Sequence, residues 1–129
     1  MESLVHSIAE HIYKKLGAGY SERVYHNAFE VMLREKNIPY ESERIVPIVF
    51  EGHVIGHLRA DLIIDGRTIV ELKAVKSTSP AMLEQLENYL ELTGLGEGYL
   101  INFPTPKLEC FELHSKKKIS EYYFDKIVV

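Results

Sequence analysis

Apolar positions in the first segment fall at helical spacing. Leu4, Val5, Ile8, Ile12, Tyr13 and Leu16 predict an amphipathic helix over residues 3–16. Gly17-Ala18-Gly19 stops it, as glycine after a periodic stretch does. Ser21 is an N-cap residue for a second helix over 22–36, with Val24, Ala28, Val31 and Met32 as its apolar stripe and Tyr25, Phe29 and Leu33 beside it. Asn37 reads as a C-terminal cap, and Pro39 forbids continuation. From there the period changes. Residues 45–50 and 54–64 are β-branched and partly alternating, with Glu51-Gly52 as a turn between them. Asp65-Gly66 signals a second hairpin, leading to a strand over 68–74. Ser77-Thr78-Ser79-Pro80 opens a third helix over 80–93, ended by Gly94. The almost wholly apolar run 99–103 predicts a strand covered on both faces, and the alternating run 108–114 an outer strand. A tail with Tyr122, Tyr123 and Phe124 is expected to pack back onto the body. The order helix, helix, three antiparallel strands, helix, strand, strand makes an α/β (α+β) mixed sheet with flanking helices.

Length and composition narrow the class. The 129 residues predict one domain spanning 1–129, and 46% hydrophobic with 26% charged residues is the balance of an ordinary globule. A net charge of −4 excludes a uniformly cationic nucleic-acid coat, so any such role needs a local basic patch. One cysteine, Cys110, excludes a disulfide framework and a cysteine-rich zinc site, and fits a reducing, cytoplasmic setting. No signal peptide and no apolar run long enough for a membrane span is expected.

The candidate chemistry lies in Glu22, Asp61, Glu71 and Lys73. Side chains alternate along a strand, so Glu71 and Lys73 share one face of an otherwise apolar strand. With a two-residue loop, Asp61 would face away from Glu71. With a three-residue loop, Asp65 to Arg67, Ile64 pairs with Thr68 and Asp61 lies opposite Glu71, with Arg59 opposite Lys73. That register also places Leu62, Val70, Ala60 and Leu72 on a fully apolar face, and it is the one expected. Two adjacent carboxylates favour a hard divalent ion, Mg²⁺ or Mn²⁺, and a neighbouring lysine can stabilise an anion there. Such a set suits phosphodiester hydrolysis. The alternative is a salt-bridge network of Asp61 and Glu71 with Arg59 and Lys73 on a solvated sheet face.

These residues also resemble a family. Gly19-Tyr20-Ser21-Glu22-Arg23-Val24-Tyr25 reads G-x-x-E-x-x-Y, Arg59-Ala60-Asp61-Leu62 reads R-A-D followed by an apolar residue, and Ile69-Val70-Glu71-Leu72-Lys73-Ala74 reads I-V-E-L-K-A. Gln85 with Tyr89, Gly94 and Asn102-Phe103 match its later positions. The chain resembles the GxxExxY proteins, a branch of the PD-(D/E)xK nuclease-like superfamily, over about residues 4 to 114. The resemblance implies a restriction-endonuclease-like core, Asp61 and Glu71 as metal ligands, and Lys73 as the catalytic lysine. It further implies Glu22 as completing the acidic site, Gln85 as an auxiliary polar residue and the Leu72 carbonyl as a further ligand. A His that relatives often carry shortly before the Gln is replaced here by the segment Pro80-Ala81-Met82-Leu83-Glu84. The implied activity is that of a Mg²⁺- or Mn²⁺-dependent nuclease on DNA or RNA; the alternative is a non-catalytic binding or scaffolding module on the same fold. Nucleic acid is the expected partner, a membrane is not, and a homodimer stays open. Tyr25 is expected to pack with its hydroxyl at the site's rim, and His26, one turn from Glu22, to reach the site's edge.

Overall fold

The computed structural model describes residues 3–115, so the expected packing of the tail lies outside the described residues. Helix α1 runs Leu4–Leu16; Ser3 caps it by accepting the His6 N–H, and Gly17 ends it at φ 71°. Helix α2 runs Glu22–Glu35, with Ser21 accepting the Val24 N–H. Strands β1 (Tyr40–Phe50), β2 (His53–Ile64) and β3 (Thr68–Lys73) follow, then helix α3 (Pro80–Thr93), β4 (Glu97–Asn102) and β5 (Glu109–His114). No helix among the described residues is long and apolar enough to cross a membrane.

The five strands form one sheet in sequence order. β3 and β4 are parallel, joined by α3, and the other neighbours are antiparallel. This is the expected mixed sheet with helices on its faces, and the structure is of the restriction-endonuclease-like type. Ile64 pairs with Thr68 across a three-residue loop, as the charge pattern required. Asp65 and Gly66 take φ 53° and 63° there, a left-handed conformation that Asp tolerates and Gly adopts freely.

β1 begins earlier than its apolar run suggests. Tyr40, Glu41 and Ser42 pair with Ile64, Ile63 and Leu62, so pairing with a buried neighbour extends a stretch whose own side chains stay polar.

The core has two layers. On one side α1 and α2 bury Ile8, Ile12, Tyr25, Phe29 and Leu33 against Leu62, Val70, Leu72 and Ile101. On the other, α3 buries Leu86, Tyr89 and Leu90 against Ile63, Ile69 and Leu100. α3 crosses β4 at Gly98, where an added Cβ would lie 2.8 Å from Leu86 Cδ1. That close approach sets how near α3 sits to β3.

One expected face is wrong. Ala60 was to share a face with Leu62, Val70 and Leu72, yet it packs in the α3 cluster, with Leu58 beside it. Leu62 and Ile64 pack on the opposite side, with α1 and α2. The alternation of β2 therefore slips at Asp61. Asp61 has no ladder partner in either β1 or β3, and Glu43, which faces it in β1, takes φ 56°. The strict period of two holds only where both ladders are intact.

Candidate active site

The slip at Asp61 opens the gap between β2 and β3. Their ladder stops at Leu62–Val70, so the expected backbone pairings of Asp61 with Glu71 and of Arg59 with Lys73 are not made. The two acidic side chains take the place of ladder carbonyls instead. Glu71 Oε2 accepts the Asp61 N–H at 2.8 Å, and Asp61 Oδ2 accepts the Leu72 N–H at 2.8 Å. Each carboxylate is thus tied to the neighbouring strand, and the pair is held close despite its charge. The expected proximity stands; the means differ.

Asp61 and Glu71 line a cavity of about 440 Å³, joined there by Glu22, Lys73, Gln85 and Tyr89. Glu22 comes from the first turn of α2, where the helix N-terminus favours a carboxylate. Gln85 and Tyr89 lie one turn apart on α3. The Tyr89 hydroxyl donates to the Arg59 carbonyl at 2.7 Å and so ties α3 to β2 beside the slip. Leu72 buries its side chain in the α1–α2 layer, so only its backbone could serve the site.

Electrostatics mark the cavity as short of positive charge. Burial, then the neighbouring Asp61 carboxylate, pushes the Glu71 carboxyl up to about 8; the Asp61 N–H and Lys73 oppose this, and Glu22 adds to it. Burial, with Glu71 and Asp61 nearby, pushes the Tyr89 hydroxyl up to about 12. Among the described residues no ion pair joins Asp61 or Glu71 to Arg59 or Lys73. Arg59 instead lies 3.9 Å from Glu43, which also pairs with Arg23. The solvated salt-bridge reading therefore fails for these carboxylates. A divalent cation is the natural partner for a buried and a half-buried carboxylate held side by side, and the donor set fits one.

Glu71 predicts a pH effect of definite sign. Its carboxyl titrates higher in the folded protein than its ordinary 4.5, so its contribution is complete below that value and is lost as pH rises through about 8. Metal-free protein should lose stability over this range. Glu71→Gln keeps an acceptor for the Asp61 N–H and removes the charge. It should match the wild type near pH ~5 and exceed it by roughly 2–4 kcal/mol near pH ~9 in thermal or urea unfolding. Equal stability at both pH values would contradict the crowding.

Two further expectations are corrected. Tyr25 is not at the rim: it is fully buried, stacks on Phe103 with centroids 4.0 Å apart, and donates to the Gly17 carbonyl at 2.6 Å. Its ring is large enough to fill the layer between α2 and the sheet, and the Gly17 carbonyl at the end of α1 needs a donor. His26 turns from the site and is buried, with Nε2 2.9 Å from Ser42 Oγ and 3.0 Å from Glu30 Oε2. A helix shows its i+4 neighbour on the same side, but here that side has already turned under β1.

A second acidic group escaped the sequence reading. Glu97, Glu112 and His114 bring one ligand atom each to within 4.8 Å of one another, the only such trio among the described residues. It sits at the far end of the sheet, on β4 and β5. Glu22, Asp61 and Glu71 do not converge so tightly. The signal was available: Glu97 pairs with His114 across the ladder, and Glu112 is two residues along the same strand.

The comparisons fit this geometry. A family model for the PD-(D/E)XK nuclease superfamily matches residues 1–113. A comparison with curated proteins returned no significant match. Among solved structures, SSO0001 is similar at 25% identity and TM-score 0.56, over 82% of this chain and 57% of its own. The chain thus spans little more than half of that protein. The fold is also shared with an alkaline exonuclease from Laribacter hongkongensis, LHK-Exo, at TM-score 0.53 and 9% identity, over 99% of this chain and 82% of the exonuclease. The complex of LHK-Exo with dAMP is similar at TM-score 0.54 and 11% identity, over 97% and 76%. A match this long, on a chain whose Asp61, Glu71 and Lys73 meet in one cavity, has one reading: the chain belongs to the PD-(D/E)XK nuclease superfamily.

Proposed function

We propose that residues 1–129 form one nuclease domain of the GxxExxY branch, which hydrolyses phosphodiester bonds of DNA or RNA with Mg²⁺ or Mn²⁺. The observation that carries this is the pair Asp61 and Glu71, each bonded to the other's strand, in one cavity with Lys73. Asp61 and Glu71 would hold the ion, with Glu22 across the cavity and the Leu72 carbonyl as further oxygen donors. Bound there, a divalent ion lowers the pKa of a water and neutralises phosphate charge. The Lys73 ammonium, half-buried and in no ion pair among the described residues, attracts the phosphate and stabilises charge building on it. The Gln85 amide orients a phosphate oxygen or the attacking water. Tyr89 holds the Arg59 carbonyl and thereby fixes the chain just before Asp61. The single thiol supports a cytoplasmic location.

The test is incubation of the full chain with labelled single- and double-stranded DNA and RNA. Cleavage with Mg²⁺ or Mn²⁺ that EDTA abolishes is expected. No cleavage of any substrate would overturn the catalytic reading in favour of a binding module on the same fold.

A further inference from the structure

Resting on that reading, we propose that the β1–β2 hairpin arm binds an unpaired nucleic-acid strand as it leaves the cavity, its apolar tip stacking on the bases.

Beyond Ala60, β2 has left β3 and pairs with β1 alone. The base of this arm packs on the α3 cluster through Leu58, with its ladder partner Val46 also buried, whereas the tip is exposed. At the tip Val49, Phe50, Val54 and Ile55 are 57%, 61%, 57% and 65% exposed. Ile55 is the bulged residue, since pairing steps from Ile48–Gly56 to Val49–Val54. A bulge re-aims a side chain, and this one is the most exposed of the large apolar residues described. A bare two-stranded ribbon gains little from apolar residues in water, so a patch of this kind marks a contact surface.

Two observations identify the occupant. First, the arm is continuous with the site: Ile45, His57, Leu58 and Arg59 line the same cavity as Asp61 and Glu71. A strand with its phosphate at those carboxylates must run against the arm. From Asp61 to the turn at His53 is roughly 26 Å of strand, enough for several nucleotides. Second, the arm's charge suits a polyanion. Between Arg44 and Arg59 the single acid is Glu51, against those two arginines, His53 and His57, in a chain of net charge −4. The Arg44–Glu41 and Arg59–Glu43 pairs are exposed and so exchange readily for phosphates. Phe50 offers a face for a base, and Ile55 and Val54 an apolar edge of the kind that wedges between bases.

The test is fluorescence anisotropy of labelled oligothymidylates in Ca²⁺, with the double variant Phe50→Ser, Ile55→Ser, whose positions are too exposed to govern folding. For an oligomer of about 16 nucleotides the variant should bind about 10-fold more weakly; for one of about 4 nucleotides, which ends within the cavity, the affinity should hold. Light scattering should give the same mass for both proteins. Equal affinity for the longer oligomer would overturn the proposal. So would a wild-type dimer that the variant converts to monomer, since a second copy would then occupy the tip. A wild type that cleaves while the variant binds normally sinks the arm alone; a wild type that neither binds nor cleaves sinks the nuclease reading with it.

Discussion

Lys73→Met is expected to lower metal-dependent cleavage by about 10²–10³-fold while leaving thermal stability and Mn²⁺ binding near wild-type values. Lys73 is half-buried at the end of β3 and lines the cavity, yet no carboxylate holds it in an ion pair among the described residues. Its charge is thus available to a phosphate. Removing a cation aimed at developing negative charge costs rate far more than binding, because its interaction is strongest in the transition state. Methionine keeps the stem's volume, so the strand should not shift. Unchanged cleavage in Lys73→Met would remove the lysine from the chemistry. A collapse of stability would mean that it serves the fold instead.

Tyr25→Ala should destabilise the protein by about 3–5 kcal/mol in urea unfolding, the largest structural effect expected in the motif that contains Glu22. Tyr25 is fully buried, stacked on Phe103 and bonded to the end of α1. It locks α1, α2 and the C-terminal end of β4 together, and so fixes where Glu22 enters the cavity. Tyr25→Phe keeps the ring and loses the hydroxyl's two bonds, the one it donates to the Gly17 carbonyl and the one it accepts from the Tyr20 N–H, which should cost about 1–3 kcal/mol. Cleavage by the Phe variant, measured well below its melting temperature, should stay within about 3-fold of wild type, since stability rather than catalysis is touched. Wild-type stability with lost cleavage would put the hydroxyl in contact with substrate.

Why some of this was legible in the sequence follows from which forces act locally. The helices announced themselves through caps and periodicity: Gly17, Ser21 and Gly94 stand where the ends fall. The hairpin register followed from charge segregation, because a one-residue shift would have buried Asp61 or Glu71 on the wrong side. Alternation failed at Asp61, where β2 leaves β3. A period-two argument presumes an unbroken ladder, and the site exists because the ladder breaks. Ala60 was misplaced for that reason. His26 and Tyr25 were drawn toward the site by helical spacing from Glu22, but spacing gives a helix face and not what covers it. Glu30 with Ser42 claims the one, and Phe103 with Gly17 the other. Gln85 and Tyr89 meet the site only because Gly98 lets α3 close on β4, a contact between segments far apart in the chain. The trio Glu97, Glu112 and His114 needed the β4–β5 pairing before it could be seen.

The most direct measurement is calorimetric titration of Mn²⁺ into metal-free wild type, Glu71→Gln and His114→Ala. The account predicts saturable binding in the wild type that Glu71→Gln abolishes and His114→Ala leaves intact. Binding that survives Glu71→Gln and vanishes with His114→Ala would contradict it, placing the cation at the far end of the sheet and leaving Asp61 and Glu71 without the partner their crowding calls for.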